Sequence, residues 1–88
     1  MTKALSAEKA FDEALERYVD FKDAGLAAGL LQLCKAVDKS PKSLGDNALH
    51  HVRRVIGEAA ADKLIVNGAT YAAAAPLVSA RLKQDWPS

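Results

Sequence analysis

The sequence has few of the residues from which catalytic and metal sites are usually built. It contains one cysteine and two histidines in 88 residues, so no intramolecular disulfide can form and a Cys/His zinc cage is not supplied. It also has no glycine-rich phosphate loop and no nucleophile elbow. We therefore expect a protein that is not an enzyme, with no catalytic residues, no metal site and no cofactor.

Excess charge of one sign and long apolar runs are also missing. The formal net charge is +1, which excludes a globally basic nucleic-acid coat and an acidic solvating tail. The uncharged run Ala24 to Cys34 is 11 residues, and the longest one, Leu64 to Ala80, is 17; both are short of the roughly 20 that cross a bilayer. No secretory leader pattern opens the chain. We expect a soluble, cytoplasmic protein that does not contact membranes.

Large apolar side chains are scarce as well. Of the 44 apolar residues, 18 are alanine, and leucine, isoleucine, valine and phenylalanine together number 21. A single domain over residues 1–88 can bury only about 60–65% of its unfolded surface, and alanine adds little to the core. A lone monomer should therefore be marginally stable, which favours a homodimer or a higher oligomer.

Apolar residues recur at three- and four-residue spacing along most of the chain, which predicts helices throughout. The expected fold is all-α, a small four-helix bundle-like domain that associates through helix packing. The third helix should be the longest and the second the most buried. The predicted helices lie near 7–23, 25–38, 44–66 and 70–85, followed by a short tail at 86–88.

Three positions decide where these helices begin and end. Either Ser40 caps the third helix, or Ser43 does so one turn later as part of a capping box. Asn67-Gly68 is either a helix C-cap or a hairpin turn; the cap is favoured, since the chain offers no further strands. Pro76 should kink the last helix or mark a restart.

The first helix carries an acidic ladder at four-residue steps, and Ser6 is its expected N-cap. The ladder should form a solvated face. Because its carboxyl groups share similar surroundings, we expect them to have similar pKa values. Its members are Glu8, Asp12, Glu16 and Asp20.

The start of the third helix is locally basic. Residues 39–54 hold four basic side chains and one acidic one, a local excess of +3 beside two histidines. Such a cluster could bind an anion, a phosphate backbone or an acidic partner surface, but a solvated face with Arg54 paired to Glu58 is the favoured interpretation, since a patch of this size is ordinary on a helix. The candidate binding residues are Lys39, Lys42, His50, His51, Arg53 and Arg54.

The second helix supplies a candidate oligomer interface. Gly25, Ala28 and Gly29 are small residues over which another helix could approach closely. Cys34 lies in the same apolar segment, where a cysteine behaves as a small, chemically quiet hydrophobe. We expect the thiol to be buried.

These features favour a non-catalytic regulatory or inhibitory protein that binds a macromolecular partner. The two parts of the chain differ in charge: residues 1–38 have five basic and seven acidic side chains, net −2, and residues 39–88 have seven and four, net +3. This difference suits contact with another protein or between copies of the chain. The alternatives are a nucleic-acid or nucleotide-binding module and a structural subunit of a larger assembly. The alanine-rich helical texture is typical of short proteins of bacteria and phages.

Overall fold

The structure, a computed structural model, describes residues 6–87. The described chain is all-helical, as predicted, and contains no strand; Ser43 and Thr70 form an isolated β-bridge between two loops. The predicted tail includes Ser88, which lies outside the described residues. The helices are α1 (Ala7–Phe21), α2 (Ala24–Val37), α3 (Asp46–Ile56), α4 (Glu58–Val66) and α5 (Tyr71–Asp85).

The count of four helices is wrong, because the predicted third helix, 44–66, is two helices. Gly57 interrupts it with φ 93° and ψ 161°, an extended conformation with positive φ that is essentially reserved for glycine. This residue is the C-cap of α3 and the N-cap of α4. The longest helices are therefore α1 and α5, of 15 residues each.

Side-chain caps explain three of the helix starts. Ser6 accepts a hydrogen bond from the Lys9 backbone N–H, as predicted, and Asp23 and Thr70 cap α2 and α5 in the same way. Both predicted starts of the third helix are wrong. Helix α3 begins at Asp46 after Gly45, with no side-chain cap.

The Asn67-Gly68 cap is confirmed. Asn67 is the C-cap of α4, and Gly68 has φ 97°, the backbone geometry that glycine commonly supplies after a helix. The predicted restart at Pro76 is wrong, since α5 runs through this exposed residue.

Helices α1, α3 and α5 run in one direction, and α2 and α4 return between them. Near their starts, α1 and α5 are joined by Asp12 and Tyr71; near their ends, they are joined by Tyr18 and Trp86. Helix α4 leads back to the start of α3, where the Leu44 backbone N–H donates to the Ala69 carbonyl at 2.8 Å. The starts of α1, α3 and α5 therefore share one end of the molecule.

The core lies between these helices. The prediction that the second helix is the most buried is wrong: α5 contributes five buried residues and α2 contributes four. Cys34 is buried, as predicted, and burial raises the pKa of its thiol to about 12. No helix within residues 6–87 combines the length and the apolar character that a bilayer crossing requires. The largest fully buried side chains are Phe11, Leu15, Leu30, Leu82, Val37, Val52 and Val78.

Candidate binding groove between the first and third helices

An open groove of about 430 Å³ separates α1 from the first turns of α3. We call it the acidic groove. One wall belongs to α1 and the other to α3, because the two helices run side by side in the same direction. The lining residues are Lys9, Asp12, Glu13 and Glu16 on α1 and Asn47, Ala48, His50 and His51 on α3.

The charge of this groove is opposite to what the basic sequence around residues 39–54 suggests. Three carboxylates and one lysine line it, which gives a formal net charge of −2 when His50 and His51 are neutral. Packing brings the two histidines against the acidic side of α1. The groove therefore attracts cations.

Asp12 departs from the rest of the predicted acidic ladder. The Tyr71 hydroxyl donates a hydrogen bond of 2.6 Å to Asp12 Oδ2, and Tyr71 is only 7% exposed. Burial raises the pKa of the Asp12 carboxyl, whereas the Tyr71 hydrogen bond and nearby His51 act to lower it. The expectation that these carboxyl groups share similar surroundings is wrong for Asp12.

Burial also raises the pKa of Tyr71, and its hydrogen bond to Asp12 adds to the effect. The phenol is therefore a proton donor at neutral pH. Its ring meets Phe11 edge-on, with centroids 6.0 Å apart, so an aromatic contact orients the hydroxyl toward α1.

Two polar atoms of the groove residues are left unsatisfied. Asp12 Oδ1 and His51 Nδ1 are buried and have no hydrogen-bond partner within residues 6–87. An unpaired buried polar atom is costly, by about 1–3 kcal/mol in typical proteins. Both atoms have less than 1 Å² of accessible surface, so they belong to the wall of the groove and are not exposed to its open space.

The remaining predicted basic residues lie in three other places. Lys39 is exposed in the loop after α2, and Lys42 lies 3.9 Å from Glu8. The predicted Arg54–Glu58 pair is not formed. Arg53 instead lies 3.4 Å from Asp62, because the turn at Gly57 brings α4 back along α3.

Arg54 faces a different cleft from the histidines, near the ends of α1 and α5. The six predicted binding residues therefore do not form one surface. The sequence indicates that they are basic, but the separation of the four on α3 follows from the contacts of that helix with α1, α4 and α5.

The predicted interface residues lie beside a second groove, of about 250 Å³, between α1 and α2. Gly25 and Gly29 line it together with Leu26 and Leu33; Ala28 is exposed but is not part of the lining. A Cβ atom at Gly29 would meet nothing within 4 Å. The space above this glycine is open.

Comparisons with known proteins give no family assignment. The chain matches no protein-family model, no curated protein and no solved structure. Within residues 6–87, no three His, Cys, Asp or Glu side chains are grouped so that they could hold a metal ion. Function is therefore inferred from the grooves and from the chemistry of their residues.

Proposed function

We propose that the protein is a non-catalytic cytoplasmic regulator or inhibitor that receives a basic segment of a protein partner in the acidic groove. The observation that carries this proposal is the net charge of −2 in the lining of the groove, in which Glu13 and Glu16 are exposed. A lysine or arginine side chain supplies both a positive charge and hydrogen-bond donors that match these exposed carboxylates.

The shape of the groove suits an extended chain segment better than a small substrate. It is open to solvent, and Glu13 and Glu16 in its lining are exposed. Arginine can pair with such carboxylates in a bidentate geometry, which adds orientation to attraction. Partner recognition would then combine steering by the net charge of the groove with direct pairing to Glu13 and Glu16.

A direct test uses an acetylated hexa-arginine peptide as the probe, with binding measured by NMR chemical-shift titration. We expect the amide signals of Asn47, Ala48 and His50 to move. The variant Glu16→Gln should weaken binding about threefold, since a screened surface charge pair contributes up to about 1 kcal/mol.

Asp20→Asn is the matched control, because it removes the same charge one turn further along α1 and outside the lining of the groove. It should leave the affinity within about twofold of the parent. Equal losses in the two variants, or signal changes far from the groove, would show general charge attraction and overturn the proposal.

The same titration with a short DNA oligonucleotide tests the nucleic-acid alternative. The dispersal of Lys42, Arg53 and Arg54 to different neighbours provides no continuous track for a phosphate backbone. Salt-sensitive binding of the oligonucleotide, with none of the peptide, would reverse the choice between these two functions.

A second candidate function, as a self-associating structural subunit, is favoured by the groove between α1 and α2. Glu13 and Arg17 lie one turn apart in its lining. If two copies met there about a two-fold axis, Glu13 of each copy could pair with Arg17 of the other. Leu26 and Leu33 would contribute apolar area.

Sedimentation equilibrium at low micromolar concentration tests this candidate. Arg17→Glu should dissociate the oligomer, and the combined exchange Glu13→Arg with Arg17→Glu should restore it, because the charges again alternate across the axis. A parent protein that sediments as a stable monomer would exclude self-association.

A further inference from the structure

A small cleft at the opposite end of the molecule from the start of α3 gathers three cations from three helices. Lys22 follows α1, Arg54 lies in the last turn of α3, and Arg81 lies on α5. All three line a cleft of about 80 Å³, with Asp85 as the one carboxylate in its lining. The formal charge of the lining is +2. We call this the basic cleft.

Two of these cations lack a carboxylate partner. Within residues 6–87, Arg81 lies 3.3 Å from Asp85, but neither Lys22 nor Arg54 has an acidic oxygen within 4.0 Å. Like charges that converge without counter-charges repel each other. An anion in the cleft would relieve this repulsion.

The backbone of Lys22 gives an independent reason to associate the cleft with a ligand. This residue has φ 46° and ψ 49° and is the one non-glycine residue with positive φ in the described chain. Glycine commonly occupies this position after a helix. Lysine therefore occupies a backbone conformation at the cleft that glycine would fit better.

The ends of α1, α3 and α5 favour nearby cations through their helix dipoles, and this accounts for each side chain separately. Because the three helices run in one direction, these ends meet at the cleft, where the formal charge of the lining side chains is still +2. We propose that the basic cleft binds a single phosphoryl group, held by Lys22, Arg54 and Arg81. The proposal is independent of the acidic groove.

The size of the cleft limits the ligand. A volume of about 80 Å³ is far below the roughly 300 Å³ from which pockets for whole drug-sized ligands begin. One phosphoryl group fits this scale, and the remainder of a larger ligand would stay outside. Guanidinium groups bind such oxyanions through paired N–H donors, with Lys22 as a point charge.

The fluorescence of Trp86 provides a way to measure ligand binding in the basic cleft. Trp86, its single tryptophan, donates from Nε1 to the Tyr18 hydroxyl at 3.0 Å, and Tyr18 lines the cleft. Titration of the full chain with inorganic phosphate, in a buffer without phosphate or sulfate, should change the Trp86 fluorescence and saturate. Chloride at the same ionic strength should give no saturating change.

Lys22→Gly separates binding from folding. It should preserve or raise the thermal midpoint, since glycine fits the left-handed backbone, while weakening phosphate binding several-fold. Arg54→Gln should weaken binding about tenfold, as expected for the loss of a charged hydrogen-bonding group. Lys63→Gln, an exposed charge on α4 outside the cleft, is the matched control and should bind as the parent does.

Parallel titrations with phosphoserine and adenosine monophosphate identify the source of the phosphoryl group. Tighter binding of either compound than of phosphate, weakened about tenfold in Arg54→Gln, would assign that compound's class to the site. Equal or weaker binding of both compounds, with the phosphate affinity reduced about tenfold in Arg54→Gln, would assign free phosphate. A phosphate response absent from the parent, or reduced equally by Lys63→Gln and Arg54→Gln, would overturn the proposal.

Discussion

Tyr71 donates a hydrogen bond of 2.6 Å to Asp12 across 59 residues of sequence, and this contact joins the start of α5 to α1 beside the acidic groove. Tyr71 is held by the edge-on contact with Phe11, and the bond leaves Asp12 Oδ1 unpaired. One tyrosine therefore fixes the orientation of the Asp12 carboxylate in the wall of the groove.

Removing this hydroxyl should destabilise the protein. We expect Tyr71→Phe to lower the free energy of unfolding by about 1–2 kcal/mol, because a part-buried carboxylate oxygen loses its donor. Urea unfolding followed by circular dichroism measures the change. Tyr18→Phe, which removes a neutral acceptor from Trp86, is the matched control and should cost less. An equal cost in both variants would mean that the charge of Asp12 adds nothing to the bond.

The raised pKa of Asp12 sets a sign for the dependence of stability on pH. The folded carboxyl titrates above its ordinary value of 3.8, so folding favours the protonated form. Its contribution is fully present below that ordinary value and is lost as pH rises through the folded pKa. Asparagine does not titrate, so the difference in stability between Asp12→Asn and the parent should change in favour of Asp12→Asn as pH rises from about 3 to about 7. Unfolding curves at both ends of this range measure the change, and a relative loss would contradict the assigned direction.

Two glycine substitutions should act in opposite directions. Gly57→Ala should lower the free energy of unfolding by about 1–3 kcal/mol, because alanine does not tolerate φ 93° with ψ 161°. Gly29→Ala should raise it by about 0.5–1 kcal/mol, since Gly29 lies inside α2 with open space above it. Thermal denaturation of both variants compares them directly. A neutral Gly57→Ala would indicate a continuous helix there.

The Cys34 thiol should resist modification in the native protein. With a pKa of about 12 and a buried side chain, it has little thiolate at neutral pH and little access to reagents. Labelling by a colourless disulfide reagent should be slow until denaturant is added and then become rapid. Fast labelling without denaturant would place the thiol at the surface.

Helix content and several helix ends were predictable because they depend on neighbours within one or two turns. Ser6 and Thr70 lie directly before apolar helical spacing, and each accepts from a backbone N–H three residues later. Gly68 adopts the positive φ that ends α4. The burial of Cys34 followed in the same way from its leucine-rich surroundings in the sequence.

Gly57 illustrates the limit of this local reasoning. A glycine within a helical pattern can remain in the helix or interrupt it, and the apolar spacing continues on both sides of this one. The outcome depends on whether the second half can pack back on the first. In this protein α4 does pack back on α3: Arg53 and Asp62 lie 3.4 Å apart, and Leu64 is buried. These contacts stabilise the interruption at Gly57.

The sequence by itself determined an all-helical chain, its main caps and the apolar faces, because backbone hydrogen bonds and the 3.6-residue period act over a few residues. Only the tertiary structure decided the charge of each surface. It placed His50 and His51 against the acids of α1 and brought Arg54 to Lys22 and Arg81. The sequence gives the charge of each side chain. The electrostatic potential at a site is the sum of all nearby charges, and many of these belong to segments that are distant in the sequence.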